Sequence, residues 1–298
     1  MNNTETLVTI FTPAYNRGNL LSNLYASLLS QTNKNFEWIV VDDGSTDDTK
    51  YLLDSFASEA KIKIVYEYQE NSGKHIAINR AVGIARGTYF FIVDSDDILD
   101  ANAVQFIEDY GLQILYDERF AGIIGAKAYF SKKTLINTKF DVIDATSADM
   151  HYKYKLKGDK AEIFKTKVLK DFPFPNVEGE IFCSESLVWN RIAKEYLMRF
   201  INKTIYYCEY LNTGLSANSI KLRSNNPTYS LLNYCETVTL DIPLLSKLKA
   251  YINISRFTYH YNRRYERKFR DNTGFKLLHI SLKPIGYLLY IKDLNNIK

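Results

Sequence analysis

The sequence has little cysteine: three residues in 298 (Cys183, Cys208 and Cys235), no two of them forming a C-x-x-C pair. An odd, scattered count argues against a disulfide framework or a cysteine zinc site, and it fits thiols kept reduced inside a cell. No apolar run approaches the ~20 residues that a membrane-spanning helix needs. The N-terminal residues carry neither the basic stretch nor the apolar core of a secretory leader, so a soluble, cytoplasmic protein is expected. G-x-G-x-x-G and G-x-x-x-x-G-K-[ST] are both absent, which removes the dinucleotide fingerprint and the P-loop. Net charge is only +4, too small to argue for nucleic acid. No internal repeat or low-complexity segment occurs.

What is present is a 46% hydrophobic chain, ample for a buried core, with a regular alternation in its first hundred residues. Leu7–Thr12 reads as a buried strand running into Pro13, and Asn19–Leu29 as a helix with leucines at helical spacing. Phe36–Val41 is a second strand, followed by a helix capped at Thr46 or Asp47 and reaching Phe56. Lys61–Tyr68 is a third strand and His75–Ala85 a helix of small residues. Thr88–Val93, uniformly apolar, is a fourth strand with a central position. Strands alternating with helices predict an α/β fold: a mostly parallel, Rossmann-like sheet flanked by helices. Further on, the pattern predicts helices over Ile98–Tyr110 or Ala103–Tyr116 and over Ser184–Tyr196. It also predicts a strand over Ala121–Phe130, a loop over 131–155, a strand or turn over Glu162–Val168, and a strand over Ile205–Tyr210. From Asn226 onward the chain reads as helical.

Ligands bind such sheets outside the carboxyl ends of the strands. Three of these ends are polar: Tyr15-Asn16, Asp42-Asp43, and Asp94 to Asp97. Asp94, Asp96 and Asp97 crowd three carboxylates into four residues, a repulsion that a cation relieves. Oxygen ligands of this kind suit Mg²⁺ or Mn²⁺, which could bridge a diphosphate. One Asp would suffice to cap a helix. Asp43 could accept a hydrogen bond from a base or ribose, and Tyr15 offers a stacking face. With no P-loop, phosphate charge falls to the metal and to cations such as Lys74.

At these residues the chain resembles glycosyltransferase family 2, inverting enzymes with the GT-A fold. Thr9–Arg17, Leu28–Thr32, Val40–Asp47, the spaced Asn71, Gly73, Ala77, Asn79, Ala85 and Gly87, and Ile92–Asp97 follow the family's ordered blocks. Ala81 stands where the family usually has Gly. The resemblance implies a nucleotide-binding set of Pro13, Tyr15, Asp43, Lys74 and Asp96, with metal held by Asp94, Asp96 and Asp97. It also implies a catalytic base at Glu185, six residues before Arg191, although Ser184-Glu185 replaces the family's Glu-Asp pair. Glu178 and Glu180 are rival bases. An acceptor hydroxyl is a poor nucleophile until a carboxylate takes its proton.

These readings predict a GT-A-like domain over 1–215, with a nucleotide-binding half (1–105) and an acceptor half (106–215), and a mainly helical C-terminal extension over 216–298. The expected activity is inverting transfer from a nucleotide diphosphate donor, a UDP-sugar by resemblance, to a glycan or lipid-linked glycan acceptor in surface polysaccharide assembly. A nucleotidyltransferase would share the metal and nucleotide but would carry a Gly-rich phosphate loop, which Thr12–Gly18 is not. A non-catalytic nucleotide-sugar-binding protein of the same fold is the other alternative. His75 reads as a capping or surface residue and Arg223 as an exposed one. The basic and aromatic residues of Tyr251–Phe275 suit either an anionic membrane surface, with peripheral attachment to the inner face, or packing on the domain. RNA is not supported, since no RNA-binding motif accompanies them.

Overall fold

The computed structural model describes residues 6–131, 133–136, 138–209, 219–266 and 276–297, with the backbone alone for 276–280 and 297. The chain divides into two compact units, 1–174 with 195–209, and 175–194 with 210–298. The expected boundary at 215/216, the segment Gly214 to Ser216, and Arg267, Lys268, Phe269 and Arg270 lie outside the described residues.

The first unit opens with β1 (Val8–Ala14), α1 (Gly18–Leu29), β2 (Phe36–Asp42), α2 (Thr49–Ser58), β3 (Ile64–Tyr68), α3 (Lys74–Ile84) and β4 (Tyr89–Ile92). Strands β3, β2, β1 and β4 lie side by side and all run parallel. The register sets Ala14 beside Asp42 and Phe11 beside Ile92, so the polar residues that follow these strands leave the same edge of the sheet. Helix α1 exists because Leu21, Leu24, Tyr25 and Leu28 fall on one face, and all four are buried. Tyr25 stacks on Phe56 of α2 at 4.0 Å between ring centroids, beside Trp38 of β2.

The sheet continues through β5 (Ile98–Leu99), α4 (Ala103–Gly111), β6 (Phe120–Tyr129), β7 (Val142–Ala145), α5 (Ser147–Tyr152), β8 (Lys160–Lys165), α6 (Thr166–Asp171) and, after the excursion into the second unit, β9 (Leu197–Cys208). Here it becomes mixed. β8 inserts antiparallel between β4 and β6, β9 pairs parallel with β6, and β5 and β7 pair antiparallel with β9. Three expectations need correcting. Ile98 and Leu99 form a short strand on Tyr207 and Tyr206, because a sheet edge is available to them before any helix can start. Segment 131–155 holds β7 and α5, the helix being capped by the Thr146 hydroxyl on the Asp149 N–H at 3.0 Å. The last strand begins at Leu197, eight residues earlier than predicted, since cross-strand pairing overrides its polar interruptions Arg199, Asn202 and Lys203.

Glu37 is a carboxylate near the start of a fully buried strand. It is satisfied by the Thr9 hydroxyl at 2.9 Å, the Arg86 N–H at 2.8 Å and the Lys63 ammonium at 2.6 Å. Burial pushes its pKa up, but these donors outweigh that and hold it below the usual carboxylate range. Gly87 lies against the same corner. A Cβ there would sit 2.2 Å from the Thr9 nitrogen and 2.5 Å from the Val8 carbonyl carbon, both backbone atoms that cannot swing aside. Gly87→Ala is therefore expected to cost about 3 kcal/mol or more in a urea unfolding series; a midpoint equal to wild type would show that β1 can shift.

The second unit is helical among the described residues: α7 (Ser186–Ile192), α8 (Ser219–Asn225), α9 (Pro227–Thr239), α10 (Leu244–Tyr265) and α11 (Lys276–Ile297). Its core joins Leu231 and Val238 of α9 to Tyr251, Ile254, Phe257 and Tyr261 of α10, with Leu282 of α11 against them. α7 is shorter than the predicted Ser184–Tyr196. No helix among the described residues is long and apolar enough to cross a membrane.

Candidate functional site

Three loops leave the carboxyl ends of β1, β2 and β4: the first two are hydrogen-bonded to each other, and the second and third both meet the start of α3. After β1, Asn16 takes a left-handed backbone (φ 53°), accepts the Thr46 N–H at 2.8 Å and donates its own N–H to the Ser45 hydroxyl at 2.8 Å. Asp47 accepts from the Gly18 N–H at 3.1 Å, so the loop after β2 holds the start of α1. Tyr15 points outward, half exposed, with Pro13 partly buried beside it.

Asp43 is buried and organises the turn before α3. Its Oδ1 accepts from the Gln69 amide at 2.7 Å and the Ser72 N–H at 2.8 Å; its Oδ2 accepts from the Gly73 N–H at 2.9 Å. A carboxylate offers about four lone-pair positions, so Oδ2 retains one for a further donor. Gly73 has φ 93°, a conformation glycine adopts without strain, and Lys74 follows it as the first residue of α3. The Lys74 ammonium reaches Asp94 Oδ1 at 2.6 Å. Next in α3, His75 is buried against Phe174, where the sequence suggested a capping or surface position. Burial lowers its pKa to about 4, so the ring is neutral at pH 7.

The acidic end of β4 is shaped by a residue that sequence reasoning missed. Tyr206 of β9 is fully buried, donates its hydroxyl to Asp97 Oδ2 at 2.6 Å and accepts the Asp94 N–H at 3.1 Å. Lys127 of β6 covers its ring, with the ammonium 4.0 Å from the centroid. Burial pushes the Asp97 pKa up to about 7; the Tyr206 hydrogen bond opposes this, while neighbouring Asp94 and Asp96 add to it. Burial would raise Asp94 as well, but Lys74, Lys127 and Arg17 hold it below the usual range. Asp96 is partly exposed. No local signal marks Tyr206, which stands 109 positions from Asp97.

In the second unit, Glu185 precedes α7, and its carbonyl accepts the Val188 and Trp189 N–H groups while its side chain makes no cap hydrogen bond. Arg191 faces Glu236 of α9 at 2.8 Å, and the Ser186 hydroxyl donates to Asn233 at 3.0 Å. Of the rival bases, Glu178 is exposed. Glu180 is buried and caps α9, accepting from the Thr228 and Tyr229 N–H groups and, at 2.6 Å, from the Tyr265 hydroxyl. Arg223 is half-buried rather than exposed, stacked on Tyr234 and Phe257. Tyr251, Phe257 and Tyr261 of the basic, aromatic tail turn into the helical core.

Residues 9–167 match the family described as glycosyl transferase family 2. The chain belongs to that family. GlyG of Streptococcus pneumoniae serotype 4, a glycosyltransferase, is 36% identical over 99 residues, which is 33% of this chain and 33% of GlyG. Chondroitin synthase of Escherichia coli is 37% identical over 116 residues, 37% of this chain and 17% of the synthase. The chain thus spans about a third of GlyG and less of the synthase. The S. aureus TarS fragment 1–349 in complex with UDP superposes with a TM-score of 0.60 at 20% identity, covering 98% of this chain and 89% of that one, a likeness in fold. The family 2 chain is accordingly GT-A-like, with a helical C-terminal region.

The resemblance to this family implies a divalent cation at the acidic turn. Among the described residues no three His, Cys, Asp or Glu side chains converge as a ready ligand cage. Magnesium-like ions are commonly held by one or two carboxylates with phosphate and water supplying the rest. Burial beside Asp94 and Asp96 disfavours the ionised form of Asp97 and pushes its pKa up to about 7, and a nearby cation would favour that form again. The residues fit that mode of binding.

Proposed function

We propose that the chain is an inverting glycosyltransferase, moving a sugar from a UDP-sugar to an acceptor hydroxyl in the assembly of a surface polysaccharide. The observation that carries this reading is the set of three linked loops at the carboxyl edge of β2, β1 and β4, in a chain of glycosyl transferase family 2. In the proposed mechanism Tyr15 and Pro13 pack against the base, and Asp43 accepts a base N–H on its remaining Oδ2 position. Lys74 exchanges its pairing with Asp94 for phosphate oxygens. Asp96 and Asp97, with Asp94 beside them, would hold a divalent cation, which supplies neutralisation of the departing diphosphate. Glu185 takes the acceptor proton as its oxygen attacks the anomeric carbon on the face opposite the leaving group, so no covalent enzyme intermediate forms.

The polysaccharide assignment draws support from chondroitin synthase, itself a polymer-forming relative by name. The donor assignment draws support from TarS, whose fragment has been seen with UDP. The test is calorimetric titration of UDP with and without Mn²⁺, followed by UDP-sugar turnover in wild type and Glu185→Gln. Expected are Mn²⁺-dependent UDP binding and turnover at least ~100-fold lower in Glu185→Gln, the usual scale of a lost general base. Binding of no nucleoside diphosphate in the presence of metal would sink the donor site. Unchanged turnover in Glu185→Gln would remove that residue from the chemistry.

A further inference from the structure

Tyr206 holds both ends of the Asp94–Asp97 turn with one hydroxyl. Its single proton goes to Asp97 Oδ2, and one of its lone pairs receives the Asp94 N–H. Asp97 is buried, and Oδ1 takes no hydrogen bond from any described residue, so its two oxygens are unequal. An oxygen already engaged by a short hydrogen bond at 2.6 Å is a poorer ligand than its partner, and the bond also fixes the plane of the carboxylate. The tyrosine cannot easily turn away. Its ring is fully buried, is packed edge-on to Phe91 with centroids 6.0 Å apart, and is covered by the Lys127 ammonium.

Resting on the donor-site reading above, we propose that Tyr206 is a positioning and ion-selecting residue: it makes Asp97 a one-oxygen ligand, through Oδ1, and thereby biases the site toward small octahedral cations. The physical basis is the difference between the ions. Mg²⁺-like ions demand near-ideal octahedral geometry and take carboxylates singly. Ca²⁺ accepts six to eight oxygens and readily takes a carboxylate through both. With Oδ2 tied to Tyr206, the second mode is handicapped. Removing the hydroxyl returns Oδ2 to the site and lets the larger ion use both oxygens. Tyr206 touches neither donor nor acceptor in this scheme; it acts through Asp97.

The experiment measures bound Mn²⁺ directly by electron paramagnetic resonance, with UDP present, and titrates Ca²⁺ as competitor in wild type and Tyr206→Phe. The phenylalanine keeps the ring that Lys127 and Phe91 contact. The proposal expects Tyr206→Phe to bind Mn²⁺ several-fold more weakly and Ca²⁺ more tightly, shifting their affinity ratio by about tenfold. That is one 1.4 kcal/mol step. A merely structural role would weaken both ions together and leave the ratio unchanged, and an unchanged ratio overturns the proposal. If Tyr206→Phe fails to fold, infrared spectra of wild type and Asp97→Asn with Mn²⁺ decide it instead. A difference band with the wide carboxylate splitting of one-oxygen ligation supports the proposal, and the narrow splitting of two-oxygen ligation overturns it. Absence of Mn²⁺ binding in wild type with any nucleoside diphosphate would instead overturn the donor-site reading, and this inference with it.

Discussion

Asp97→Asn is expected to make the metal-free protein more stable at pH 8 while abolishing Mn²⁺-dependent UDP binding. The two effects have one origin. In the folded chain Asp97 has a pKa of about 7, against an ordinary value of 3.8, because it is buried beside Asp94 and Asp96. Between these values the folded state holds a proton that the unfolded state has released. Stability therefore falls as pH rises through this window, and above pH 7 the whole cost is present. The gap sets a ceiling of ~4 kcal/mol, and water penetration and relaxation will reduce what is realised to roughly 1–2 kcal/mol. Asparagine removes the charge and can still accept the Tyr206 hydroxyl. Urea unfolding in EDTA at pH 5 and pH 8 tests this. Buried His75, its pKa lowered to about 4, works the other way in both proteins, so the difference between them isolates Asp97: from pH 5 to pH 8 wild type should fall relative to Asp97→Asn. Parallel pH profiles for the two proteins would show that Asp97 is not the strained group, whatever the binding data say.

Asp293→Ala is expected to loosen α11 from α10 at a cost of about 3–5 kcal/mol. Asp293 is almost fully buried and receives the Arg256 guanidinium through two nitrogens, one on each carboxylate oxygen, with Nε 2.6 Å from Oδ2; His260 Nε2 lies 3.0 Å from that same Oδ2. Burial would raise its pKa, but Arg256 and His260 overcome this and hold it below the usual range. Truncation to alanine leaves a largely buried guanidinium without its counter-charge, which costs more than the pair contributes when intact. The same argument predicts that Arg256→Met combined with Asp293→Leu recovers most of the loss, since both charges leave together. Hydrogen exchange over 281–296 and the unfolding midpoint read the outcome. A single variant as stable as wild type, or a double variant no better than the single, would count against it.

The first half of the sheet was legible because its strands announce themselves. Val8–Ala14, Phe36–Asp42 and Tyr89–Ile92 are runs of apolar and β-branched residues that stop abruptly at polar or acidic ones, a pattern imposed by burial on both faces. The second half has no such signature. Ile98–Leu99 is too short to show a period, and β9 is interrupted by Arg199, Asn202 and Lys203, so pairing with distant strands decides its extent. Candidate site residues divide the same way. Asp43, Asp94 and Asp97 stand out because acid after an apolar run is conspicuous. Tyr206 looks like any other tyrosine in a sequence that contains 23 of them. Glu180 looked like a candidate base, and its capping of α9 depends on partners 48 and 49 positions later. His75 misleads for the converse reason: a lone histidine near a helix start reads as a capping or surface residue, but Phe174, nearly a hundred positions on, packs against it.

The path of the chain between its units has a consequence for synthesis. Segment 175–194 belongs to the helical unit, yet the chain then returns to lay down β9 before entering that unit again at 210. The partners that hold α7, namely Asn233, Glu236 and Thr237, emerge from the ribosome some forty-five residues after it. A nascent chain can therefore complete the sheet that runs from β3 to β9, with Tyr206 already under the acidic turn, while α7 and Glu185 still wait for their support. The half that would bind the nucleotide can exist before the half that carries the proposed base, and a translation stop after residue 209 would release it in that state.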